Sequence, residues 1–82
     1  MAKRTLMKRA RMARGLSQMK LAELVPCKNS EISRIETGHA MPYANRARQI
    51  AKALGWRGEV SQLFRDDLSE DQIEAALFDF IL

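Results

Sequence analysis

Between Cys27 and Gly38 the chain reads CKNSEISRIETG, and its polar residues have the chemistry to read the edges of nucleic-acid bases. Asparagine can pair bidentately with adenine, arginine with guanine, and serine with several base edges. Ile32 and Ile35, three apart, mark the core side of a helix expected over about Asn29–Thr37. Lys28, Asn29, Ser30, Glu31, Ser33 and Arg34 are then left to the other faces. In a helix that enters a major groove, the N-terminal residues meet base edges first. Glu31 could accept a hydrogen bond from a cytosine amine, but solvent is its simpler destination. Taken alone, the set is equally an ordinary polar helix face.

What lifts it above that is the element just upstream. Ser17 can cap a helix over about Gln18–Leu24, its hydroxyl accepting from a free N–H of the first turn. Leu21, Ala22 and Leu24 then fall on one face, while Met19 and Lys20 face outward. Pro26 must stop this helix, because it has no N–H to give and pushes Val25 out of the helical region. A break of about three residues is too short for an antiparallel pair and favours a steep crossing, the geometry of a helix-turn-helix. Gly38 is a natural C-terminal cap for the second helix.

Ser17-Gln18, Leu21-Ala22, an apolar turn residue at Cys27, Ile32-Ser33, Glu36 and Gly38 stand in one ungapped register. Arg11 upstream and Pro42, Ile50-Ala51, Leu54 and Gly55 downstream extend it. This pattern, over roughly residues 3–64, resembles the helix-turn-helix domain of phage repressor and Cro-type regulators, the XRE-like family. The resemblance implies an all-α, five-helix DNA-binding body over 1–64, with Lys28, Asn29, Ser30 and Arg34 at base-reading positions and Ser33 beside them. It implies phosphate contacts from Gln18 next to the Ser17 cap, and from the Thr37–Met41 loop around Gly38, which holds Thr37 and His39; Tyr43 just beyond it could bond a phosphate through its hydroxyl. Arg46 is expected to face DNA rather than solvent, and Arg11 with Glu36 to form a structural ion pair.

Two departures from the family carry expectations. The family has a left-handed glycine where this chain has Pro26, and a proline ring does not reach positive φ. The turn is therefore expected to be rebuilt, with the preceding helix ending earlier. Ala44 and Ala47 are smaller than the family's leucines, which leaves volume for Met12, Met41 or Trp56 to fill.

The remaining elements follow from periodicity and breakers. A first helix is expected over 3–14, with Leu6, Met7 and Ala10 inward, Lys8, Arg9 and Arg14 wet, and Gly15 ending it before an inward Leu16. Arg11 shares the inward side, and a buried arginine needs a partner. Pro42 suits the first turn of a fourth helix, whose Ala44, Ala47, Ile50, Ala51 and Leu54 run to Gly55. A short fifth helix over about Glu59–Phe64 closes the core with Val60, Leu63 and Phe64. Cys27 reads as a small buried hydrophobe. A redox-sensing thiol would need exposure and a lowered pKa. His39, the sole histidine, has no Ser, Asp or metal-ligand companions in pattern; it reads as a phosphate neighbour or a plain surface residue.

Residues 65–82 form a second segment. Ser69-Glu70-Asp71-Gln72 is a capping box opening a sixth, amphipathic helix. Ile73, Ala76, Leu77, Phe80 and Ile81 give it one apolar stripe. The stripe can pack back on its own domain, form a two-fold homodimer patch, or dock another protein; the expectation leans to the homodimer.

Charge divides the chain in the same place. Residues 1–64 carry thirteen Lys and Arg against four Asp and Glu, a net +9, whereas residues 65–82 carry one against six, a net −5. A basic body with an acidic tail suits a polyanion partner, double-stranded DNA above all. One cysteine forms no internal disulfide, no Cys/His cluster suggests a metal, and nothing calls for a cofactor. With no secretory leader and no apolar run of membrane-spanning length, a bacterial or phage-encoded protein of the cytoplasm, associated with the nucleoid, is expected. The function expected is a sequence-specific transcriptional regulator, a repressor first. The alternatives are an antitoxin-type autorepressor whose tail grips a partner protein, or a protein-interaction module that binds no DNA. An enzyme is the least supported class.

Overall fold

A computed structural model describes residues 4–81, and these are all-α. Six helices follow in order: α1 (Thr5–Ala13), α2 (Gln18–Leu24), α3 (Asn29–Glu36), α4 (Ala44–Leu54), α5 (Val60–Leu63) and α6 (Glu70–Ile81). The first helix begins later than the expected 3–14, with Arg4 as its N-cap; position 3 lies outside the described residues. Pro42 falls before the fourth helix rather than in its first turn, because Tyr43 is the N-cap, with extended backbone.

One apolar core joins all six elements. Leu6, Met7 and Ala10 of α1 meet Leu21 of α2, Ile32 and Ile35 of α3, and Ile50 and Leu54 of α4. Each fully buried Leu or Ile stabilises the fold by about 1.5–3 kcal/mol relative to exposure. Two expectations about this core are corrected. Leu24 stands half exposed and Val25 is buried instead, because α2 ends at Leu24 and the C-cap residue turns inward as the chain bends. Met12 and Met41 are largely exposed, so neither fills the space opposite the alanines; Ala44 is itself exposed, and Trp56 alone of the three candidates packs partly on the core.

The sixth helix opens as its capping box requires. The Gln72 N–H donates to Ser69 Oγ at 3.2 Å, and the Ser69 N–H donates to Gln72 Oε1 at 2.8 Å. Its stripe then settles on α1 and on Trp56, just past α4. Ile73 and Phe80 are buried, and Ala76 and Leu77 half-buried, in the protein's own core. The Phe80 ring lies 5.1 Å from Trp56, with the Arg14 guanidinium 4.2 Å above it. Arg9 pairs with Glu70 at 2.5 Å, and Arg57 donates to the Asp79 carbonyl at 3.2 Å. Of the three destinations open to the stripe, this chain uses packing on its own body, with Ile81 and the neighbouring Phe78 left exposed, as a chain this small needs its apolar area for a single core. Arg14, expected wet, also donates to the Leu54 carbonyl at 2.8 Å.

Candidate nucleic-acid interface

The corner between α2 and α3 is built from caps. Ser17 Oγ accepts from the Lys20 N–H at 3.0 Å and starts α2. At the other end the Cys27 N–H donates to the Ala22 carbonyl at 2.9 Å, the outer bond of a Schellman motif. The inner bond of that motif needs a donor at residue 26, and Pro26 has none. Pro26 nevertheless stands at φ +28°, in the left-handed region. α2 runs to Leu24, the end expected from the sequence, and the turn after it lacks the inner bond of the motif. Buried Val25 and the Cys27–Ala22 bond hold the chain there against the preference of the ring. The end of α3 shows the same motif complete. Gly38 at φ +82° donates to the Ile35 carbonyl at 3.1 Å, and the His39 N–H to the Arg34 carbonyl at 2.9 Å.

With the corner set, α3 divides cleanly. Ile32 and Ile35 are in the core, while Lys28, Asn29, Ser30 and Arg34 are exposed and Ser33 half-buried. Lys28 is the N-cap and makes no side-chain cap bond. An α-helix with its side chains is about 10–12 Å across, which the ~12 Å wide major groove of B-DNA admits. The four exposed side chains therefore stand together on a short rod that a groove can admit.

The C-terminal end of α3 is fastened inside the protein. Arg11 Nε donates to Glu36 Oε2 at 2.6 Å and Nη2 to Oε1 at 3.2 Å, a bidentate pair with both side chains nearly inaccessible. Arg11 Nη1 also donates to the Leu16 carbonyl at 2.7 Å. Gln18 Nε2 joins the same carboxylate at 3.0 Å, so one amide hydrogen of the expected phosphate ligand faces Glu36. Sequence reasoning missed a second arginine here. Arg4 is buried, donating from Nε to the Phe64 carbonyl at 2.9 Å and from Nη1 to the Ile35 carbonyl at 3.0 Å. Its own N–H reaches the Glu36 carbonyl at 3.0 Å. The carbonyls at a helix C-terminus lack helical partners and carry partial negative charge, which suits a cation. No periodicity announces such a role, since Arg4 and Phe64 are 60 residues apart.

The N-terminal end of α3 is held from outside. Arg46 of α4 donates from Nε to Glu31 Oε2 at 2.8 Å, and from Nη1 to the Val25 carbonyl at 3.1 Å and to Gln49 Oε1 at 3.0 Å. Two expectations are corrected together. Arg46 turns to the corner of its own chain instead of toward DNA, and Glu31 meets a guanidinium instead of solvent alone. Beside them, burial and the Glu31 carboxylate push the Cys27 thiol above its ordinary pKa, with Arg46 opposing. That favours the neutral thiol and agrees with its reading as a small hydrophobe.

In the loop after α3, the Thr37 hydroxyl lies 3.0 Å from the Ser33 carbonyl and 2.7 Å from His39 Nδ1, so it is engaged within the chain. Tyr43 and His39 are exposed. The basic body is less available than its net charge suggests: Arg4, Arg9, Arg11, Arg14, Arg46 and Arg57 all bond their own protein. Lys20, Lys28, Arg34 and Lys52 are exposed on or beside the α2–α3 corner.

Among the described residues no helix is long and apolar enough to cross a membrane, and no group of His, Cys, Asp and Glu is gathered to hold a metal. No curated protein and no solved structure matches the chain. A family model described as a helix-turn-helix domain does match, over residues 4–63. That span takes in α1 to α5 and both clamps on α3, and it leaves α6 outside. The chain belongs to the helix-turn-helix domain family, in keeping with its resemblance to XRE-like regulators.

Proposed function

We propose that this protein is a sequence-specific double-stranded DNA-binding transcriptional regulator, acting as a repressor, that reads the major groove with α3. The observation that carries the reading is the exposure of Lys28, Asn29, Ser30 and Arg34 on a helix whose opposite face is locked in the core. Ser33 lies close enough in register to assist. Phosphate contacts from Lys20, from the second amide hydrogen of Gln18, and from His39 and Tyr43 in the loop would fix the register. Base contacts from α3 would supply specificity. The Ser17 hydroxyl and that of Thr37 are engaged in local caps and serve the backbone first.

Selection of bound duplexes from a random pool tests this directly. A single enriched motif is expected, and two inverted half-sites within it would show two copies on the DNA. Arg34→Ala should weaken binding to that motif by about 1–3 kcal/mol and blur preference at one base pair. An unchanged motif and affinity would remove Arg34 from base reading. Failure to enrich any motif would sink the reading as a whole.

A further inference from the structure

We propose that Arg46 is a positioning residue for recognition, which sets through Glu31 and the Val25 carbonyl the direction in which α3 leaves the proline corner. The inference rests on the reading of α3 as the base-reading helix. Val25 is the C-cap of α2, Glu31 lies in the first turn of α3, and Arg46 comes from α4. One guanidinium therefore touches both arms of the corner from a third helix, at 2.8 Å and 3.1 Å. The corner needs such a link because Pro26 removes the inner hydrogen bond that would otherwise close α2.

Gln49, one turn further along α4, holds the same guanidinium at 3.0 Å and fixes its plane. A planar guanidinium with donors at fixed angles defines relative positions in a way that a single ammonium does not. The pair is partly exposed, at 28% for the Arg46 side chain and 39% for Glu31. Exposed pairs contribute little to stability. Their geometric effect is larger, because bidentate base contacts tolerate only a few tenths of an ångström between 2.7 and 3.2 Å. Asn29 and Ser30 immediately precede Glu31, so a tilt of this turn moves them first.

A plain phosphate role for Arg46 makes the opposite prediction at Glu31. Removing a carboxylate beside the groove should then strengthen DNA binding at every sequence. Under the positioning role, Glu31→Gln weakens binding to the selected duplex by about tenfold, the scale of one good base contact. It does not weaken non-specific binding, since no phosphate contact is lost, so the loss is confined to the selected duplex.

The experiment measures affinity for the selected duplex and for an unrelated one across a salt series, for wild type, Glu31→Gln, Arg46→Gln and Arg46→Lys. Thermal melting of each variant confirms the fold. Arg46→Lys is expected to bind as poorly as Arg46→Gln, and the double variant Glu31→Gln/Arg46→Gln no worse than either single change, because both act on one link. Tighter binding by Glu31→Gln, or wild-type affinity with Arg46→Lys, overturns the positioning role while the reading of α3 survives. If Arg46→Gln does not fold, the Glu31→Gln result decides alone. If wild type selects no duplex at all, the reading of α3 fails and the positioning role with it.

Discussion

The two ends of α3 are anchored by the same chemistry under different conditions. At the C-terminal end two arginines, Arg4 and Arg11, are buried and reach a carboxylate and backbone carbonyls inside the core. At the N-terminal end one arginine, Arg46, spans a carbonyl and a carboxylate at the surface. A desolvated charge is costly to leave alone, so the buried end governs whether the chain folds. A solvated pair is cheap to break, so the surface end governs where an already folded helix points. If α3 reads bases as proposed, stability and recognition are thus separated along about 12 Å of one helix.

The largest effect should come from breaking the buried pair. Arg11→Ala leaves Glu36 without its charge partner in a closed site and should cost about 3–5 kcal/mol in urea unfolding. Small domains have only about 5–15 kcal/mol in total, so the variant should be near collapse. A cost below about 1 kcal/mol would show that water reaches Glu36 and that the two ends of the helix do not differ as described.

Arg4→Met comes next. It keeps the side-chain volume but deletes donors to the Phe64 and Ile35 carbonyls. Hydrogen bonds from charged donors are worth about 1.5–3 kcal/mol, and a loss of about 2 kcal/mol is expected in the same assay. The affinity of the remaining folded protein for DNA should change little, because Arg4 touches only the inner end.

Pro26→Gly should act in the other direction. A positive φ at residue 26 is open to glycine and opposed by the proline ring. Glycine also restores the missing N–H, while its freer unfolded chain takes back about 0.4–1 kcal/mol. A net gain of about 1 kcal/mol is expected, seen as a melting temperature higher by about 4–8 °C. A loss on substitution would mean that residue 26 does not take the left-handed step in solution.

This asymmetry also explains what was legible beforehand. Ser17, Pro26, Gly38 and the Ser69–Gln72 box mark boundaries because their signals are local: α2 and α6 start one residue after Ser17 and Ser69, and α2 and α3 end two residues before Pro26 and Gly38. The exposed set on α3 was legible because Ile32 and Ile35 fix the helix's phase. The destinations of Arg4, Arg14 and Arg46 were not. Each reaches a carbonyl 21 to 60 residues away, on an element whose placement only the fold decides. The fate of the α6 stripe was hidden for a related reason. An apolar face shows in the sequence that something will cover it, and only the structure shows that the cover is α1 and Trp56.

The smallest expected effect reads the surface end without any DNA. The Cys27 thiol is raised above its ordinary pKa first by burial and second by the Glu31 carboxylate, while Arg46 lowers it. Alkylation needs the thiolate, so Cys27 in the folded protein should react with iodoacetamide more slowly at neutral pH than in the urea-unfolded chain. Glu31→Gln should speed the reaction and Arg46→Gln should slow it, because the first removes a negative neighbour and the second a positive one. A thiol with a raised folded pKa contributes stability that is intact below its unfolded pKa and is lost as pH rises through the folded one. Wild type should therefore weaken slightly in alkaline solution, and Glu31→Gln less so. Equal alkylation rates in the two variants would place Cys27 away from the Arg46–Glu31 pair and take the corner's electrostatic contact out of the comparison.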